Sequence, residues 1–131
     1  MTQQFSAYTA ITDLAEAVAI QPGAVVSKVI HRDEDLDVTV FGFDAGEGLT
    51  EHTASRAAIV QVLEGRLRFT ADGEELDAGP GFWLHMTAGT PHALEAVEPT
   101  LMLLTLVRPA LERSSLPVPF TEQVDRETQR S

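Results

Sequence analysis

The sequence has no cysteine, so disulfide staples, thiol nucleophiles and thiolate metal ligands are all excluded. Lysine is nearly absent too: Lys28 is the single one, and arginine supplies the other cations. Nine basic residues stand against 20 acidic ones, a net charge of -11, so a phosphate backbone or an anionic membrane surface is repelled before any specific contact forms. Nucleic acid and membrane are therefore excluded as expected partners. Long apolar runs are missing, and none reaches the length that spans a bilayer. Residues 1–20 carry Asp13 and Glu16 and lack a basic leader, so no signal peptide is expected and a cytoplasmic location is the simplest expectation.

What is present is ordinary globular material: 131 residues, 44% apolar and 22% charged, with nine glycines and seven prolines as punctuation. Thr12 and Asp13 ahead of Leu14-Ala15-Glu16 predict a short helix within 10–20, since a capping oxygen and an acidic first turn suit a helix N-terminus. From residue 24 the period changes. Segments 24–30 and 36–43 are short and rich in β-branched residues, and further strands are expected at 57–63, 66–71, 75–78, 82–86, 92–97 and 100–107. Turn signals separate them, among them Glu64-Gly65, Asp72-Gly73, Gly89-Thr90-Pro91 and Glu98-Pro99. Many short strands with no long amphipathic helix between them predict an all-β fold, a small antiparallel sandwich or barrel. The chain divides into an N-terminal segment 1–23, a barrel 24–108 and a tail 109–131, whose Leu116-Pro117-Val118-Pro119 is too proline-broken for a central strand. That tail is expected to be partly disordered or helical.

Four histidines stand at 31, 52, 85 and 92. His52 follows the glycine-bearing segment Gly46-Glu47-Gly48, and His92 closes a Gly-Thr-Pro turn at the head of a strand. If both point into one barrel, their rings share a ligand or a metal, since neutral imidazole is the commonest metal ligand. His85 lies on Phe82-Trp83-Leu84-His85-Met86, where alternation puts Trp83 and His85 on one face and Leu84 and Met86 on the other. Which face looks inward is open at this point. An inward Trp83 and His85 give a pocket with three histidines and an indole; an outward pair gives an exposed or contact surface. His31, beside Arg32 and a run of acids, is expected to face solvent, as are the loop carboxylates Glu47 and Glu51.

These residues fall on the two motifs of a known superfamily. Gly46, His52, Ala54, Ala58 and Gly65 occupy the positions of G-x5-H-x-H-x3,4-E-x6-G, and Gly81, Thr87, Gly89, His92 and Ala96 those of G-x5-P-x-G-x2-H-x3-N. In this spacing, and in the short spacer 66–80 between the motifs, the chain resembles the cupins, small RmlC-like jelly-roll barrels. The resemblance covers about residues 24–108. It implies a divalent transition metal (Fe, Mn, Ni or Zn) held by three histidines and a glutamate; here His52 and His92 are kept, while alanines fill the second histidine and glutamate positions. Zinc sites ordinarily use at least three protein ligands.

The first functional expectation is therefore a small-molecule-binding cupin with an incomplete metal site. His52 and His92 orient an acidic or polar ligand in a barrel pocket, with Trp83, Phe41, Phe43 and Val60 as candidate wall. The rival is a metal-dependent enzyme of dioxygenase or isomerase type, using His52, His92 and His85 with water completing the shell. A structural or regulatory interaction module is the third class. Leu101-Met102-Leu103-Leu104 is apolar on both faces, and from it a homodimer is expected, with the outer face of that strand covered by a second subunit.

Overall fold

The β-branched runs pair as antiparallel strands in the computed structural model, which describes residues 7–109. In chain order these are β1 Val25–Arg32, β2 Leu36–Phe43, β3 Gly48–His52, β4 Ala57–Ala71, β5 Glu74–Ala78, β6 Trp83–Met86 and β7 His92–Val107. They form a small antiparallel jelly-roll barrel with almost no helix. None of the described helices is long and apolar enough to cross a membrane. The predicted helix shrinks to one 3-10 turn, Leu14–Glu16, capped by Asp13, whose carboxylate accepts from the Ala15 N–H at 3.1 Å. It stops there because Val18 and Ile20 are drawn onto the sheet, where they pack over the space left by Gly42. Of the tail expected at 109–131, residues 110–131 lie outside the described residues.

Two pairs of expected strands are single strands with a bend. β4 runs through Gly65 and β7 through Pro99, with pairing irregularities from Val62 to Leu67. Gly65 has φ +90, and a side chain there would run into the Pro99 carbonyl, so only glycine fits the close approach. Thr100, fully buried, joins the two bends: its hydroxyl accepts from the Arg66 N–H at 2.9 Å and donates to the Glu98 carbonyl at 2.7 Å.

The bends fold one ribbon into two layers. β1, β2, the second half of β7, the first half of β4 and β6 make one; β3, the first half of β7, the second half of β4 and β5 make the other. Alternation then fills the space between them: Phe43, Val60, Val62, Met86 and Met102 from the first layer meet Leu67, Phe69, Ala78, Leu94 and Ala96 from the second. The expected internal pocket is thus largely packed with side chains. On the outer face, Val40 (0% exposed), Leu101 (4%) and Leu103 (9%) are already buried within the single chain. Val18 and Ile20 of the N-terminal segment pack on this outer face beside Gly42, which is in register with Leu101.

Candidate functional site

β3 is held against β7 by its opening glycines. The Gly46 N–H donates to the Ala96 carbonyl and the Ala96 N–H to the Glu47 carbonyl, each at 2.8 Å. Gly48 then passes so close to Leu94 that a side chain would strike its carbonyl. From that start the register carries His52 opposite His92, with an irregularity after Leu49. Their ring centroids are 4.3 Å apart, inclined at 57°. The two residues, 40 positions apart in sequence, meet at the end of the barrel away from the bends.

Each ring is oriented by the backbone two residues earlier. His52 Nδ1 lies 2.7 Å from the Thr50 carbonyl oxygen, and His92 Nδ1 lies 2.9 Å from that of Thr90. A carbonyl only accepts, so in both rings Nδ1 carries the proton and Nε2 of the neutral imidazole keeps its lone pair. Phe69 stacks on His92 at 6.1 Å with parallel planes and fixes its tilt from below. The turn ahead of His92 is tied down as well: the Gly89 N–H (φ +86) donates to the Ala54 carbonyl at 2.8 Å, joining the two motif loops. His92 is half-buried and His52 exposed, so the pair forms a rim rather than the floor of a cavity.

The opposite wall holds a cluster that the sequence reading missed. Asp37, Leu106, Ala58 and Met86 are in register across the first layer and make one inward-facing row at the same end of the barrel. Asp37 is buried, and three guanidiniums converge on it: Arg56 at 2.8 Å, Arg108 at 2.8 and 3.1 Å, and Arg32 at 3.1 Å. The hydrogen bond from Arg56 holds the Asp37 carboxyl below the usual carboxylate range; burial opposes this, and the charges of Arg108 and Arg32 add to it. Asp33 nearby is drawn down to about 2, first by the hydrogen bond from His31 at 2.7 Å and then by the Leu36 and Asp35 N–H groups. The one available signal was parity, since Asp37 shares the face of Phe41 and Phe43 and a charge there needs partners.

Both carboxyls have folded-state values below their unfolded ones, so the stability they contribute is complete above the unfolded value and disappears as pH falls through the folded one. The melting temperature is expected to hold steady down to about pH 4.5 and to fall between about pH 4 and 2. Asp33→Asn flattens that limb. An equally steep limb in the variant contradicts the assignment.

The structure does not turn His85 or Trp83 toward the site. In β6, Leu84 and Met86 pair with Val60 and Ala58 and point inward, so His85 and Trp83 face out, with Trp83 58% exposed. The inward alternative for that strand is thus corrected: neither residue reaches the histidine pair. Phe43 and Val60 are core residues, and Phe41, half-buried, stacks on Phe43 at 5.7 Å. Glu51 is exposed and Glu47 half-buried. His31, expected in solvent, is half-buried in its pair with Asp33 and lines a cavity of about 540 Å³ outside the barrel, between Tyr8, Ile11 and Leu14 and the outer face at Ile30, Val38 and Leu103. Neither His52 nor His92 lines that cavity.

The donor set does not fit the metal of the motif. Two imidazoles are present, Ala58 projects a methyl group into the mouth where a carboxylate is required, and no group of three or more His, Cys, Asp or Glu among the described residues is placed to hold an ion.

The family model of the cupin domain matches residues 39–107. A conserved protein of unknown function from Streptococcus pyogenes is 35% identical, with a TM-score of 0.70 over 78% of this chain and 90% of that one. A cupin 2 conserved barrel domain protein from Leptotrichia buccalis is 37% identical, with a TM-score of 0.67 over 72% of this chain and 46% of that one. A cupin superfamily protein from Desulfitobacterium hafniense shares the fold at 22% identity, with a TM-score of 0.70 over 73% and 88%. No curated protein gives a significant match.

Proposed function

The chain belongs to the cupin domain family, and from that premise we propose that it is a small-molecule-binding member in which imidazoles take the place of a metal in holding the ligand. The observation that supports this reading is the pair of rings 4.3 Å apart, each tethered through Nδ1 to a backbone carbonyl. Neither Nε2 has a hydrogen-bond partner among the described residues. In their neutral form the two Nε2 atoms accept hydrogen bonds from a ligand hydroxyl or amide; when protonated they donate to a carboxylate or phosphate. The preorganised tilt keeps the ordering cost of binding low. Ala54 and Ala58 stand at the two motif positions where metal ligands are missing, so the two imidazoles are the polar groups left to meet a ligand.

A thermal-shift screen of small organic acids and sugars tests the proposal. A ligand at about 100 times its Kd adds about 2.7 kcal/mol to the native state, which is readily visible in a melting curve. The shift is expected to survive a chelator and to be lost in His92→Gln and in His52→Gln. A shift abolished by the chelator, or retained in both variants, contradicts the reading.

A further inference from the structure

We propose that the mouth of the barrel carries an oxyanion site formed by Arg56 and Arg108 on the wall facing the histidine pair, so that the ligand bears a carboxylate or a phosphate. This rests on the small-molecule reading above and names the chemical class of its ligand.

The charge balance is the starting point. The chain as a whole is at -11, yet three guanidiniums are gathered around the single carboxylate of Asp37. One carboxylate neutralises one cation, so two positive charges in the hydrogen-bonded cluster are left without a side-chain counter-charge among the described residues. Asp33 does not supply it. Arg108 bonds to the main-chain carbonyl of Asp33 at 2.9 Å, while the Asp33 carboxylate is engaged by His31 and by two backbone N–H groups. Holding like charges together costs energy, and a bound anion offsets it.

The geometry says which nitrogens would receive that anion. Arg56 uses one Nη1–H on Asp37, and its Nε and Nη2 groups have no partner among the described residues. Arg108 commits Nε and Nη2, leaving Nη1. Both side chains are mostly buried, at 22% and 25% exposure, so their forks are held in place by Asp37, whereas Arg32 at 61% lies on the rim. A guanidinium fork matches the spacing of two oxygens on a carboxylate or phosphate. Asp37 belongs to the inward row with Leu106, Ala58 and Met86, at the same end of the barrel as His52 and His92. Arg56 closes the loop that contains Ala54, and that loop is bonded to the turn before His92. An anion on the arginines therefore lies on the wall opposite two Nε2 atoms suited to the polar remainder of the same molecule.

Calorimetric titration of the wild-type chain with sodium succinate and with inorganic phosphate, against sodium chloride at matched ionic strength, tests the site. Succinate, phosphate or both bind saturably and chloride does not; succinate alone marks a carboxylate ligand, phosphate alone a phosphate ester. Arg56→Gln weakens binding by at least about tenfold. Asp37→Asn, which keeps the shape and releases the guanidiniums from their counter-charge, tightens it. A cluster that only braces the fold predicts neither change, and in Asp37→Asn a larger melting-temperature gain with the anion than in wild type keeps the test readable if that variant is less stable. Chloride acting as well as the oxyanions, or affinities unchanged in both variants, overturns the proposal. Binding lost in Arg56→Gln but intact in His52→Gln and His92→Gln keeps the anion site and refutes the histidine reading; binding lost only in the histidine variants does the reverse.

Discussion

Phe69→Ala is expected to destabilise the chain by about 3–5 kcal/mol, a fall of roughly 10–20 °C in melting temperature for a domain of this size. The ring is fully buried at the centre of the second layer, with Phe82 at 6.2 Å and His92 at 6.1 Å from its centroid. Truncation removes the transfer free energy of an aromatic ring and leaves a cavity that strands on both sides are too constrained to close. It also removes the surface on which His92 lies, so ligand binding weakens further than the lost stability alone explains. Trp83→Ala is the control: a larger side chain is lost, but from the exposed outer face, and the change is expected within about 0.5 kcal/mol. Urea denaturation of both variants checks this, and comparable losses at the two positions would contradict the assignment of inside and outside.

The double substitution Ala54→His and Ala58→Glu is expected to give a chain that retains about one divalent ion, where the wild type is expected to retain none. The two positions are those of the missing ligands in the first motif, and Ala58 already faces inward in the mouth row, paired with Met86 and Leu106. Without metal the variant is less stable than wild type, because a glutamate at a 3% exposed position overfills a packed core site. Adding Ni²⁺ or Mn²⁺ raises its melting temperature and leaves that of the wild type unchanged, since an ion that binds only the native state stabilises it by mass action. Equal responses in the two proteins would show that the alanines are not what prevents metal binding.

How much of this was legible in advance follows from which interactions are local. His52 and His92 were identified because a motif spacing fixes where each falls relative to its glycine turns, and those turns are set by short-range backbone geometry. The strands of β2 and of the two halves of β4 and β7 were read from alternation and β-branching, also local properties. Gly65 and Pro99 were read as strand ends but are bends, because a glycine at positive φ breaks the pattern in the same way whether or not the partner strand bends with it. The inward face of β6 depended on a register: Val60 opposite Leu84 and Ala58 opposite Met86, which nothing within Phe82–Met86 encodes because each of its faces carries a large apolar side chain, Trp83 beside His85 on one and Leu84 with Met86 on the other. The Asp37 cluster is the plainest case. Its arginines come from positions 32, 56 and 108 and converge only when three strands and a loop are assembled, so each alone looks like a solvated surface charge.

In the proposed function the histidine pair works without a resident metal. Mass-spectrometric metal analysis of the wild-type chain, expressed with Fe, Mn, Ni and Zn supplied and purified without chelator, measures it directly. Far less than one ion per chain is expected, at the same level in wild type and in His92→Gln. About one ion per chain in the wild type, lost in His92→Gln, would contradict it.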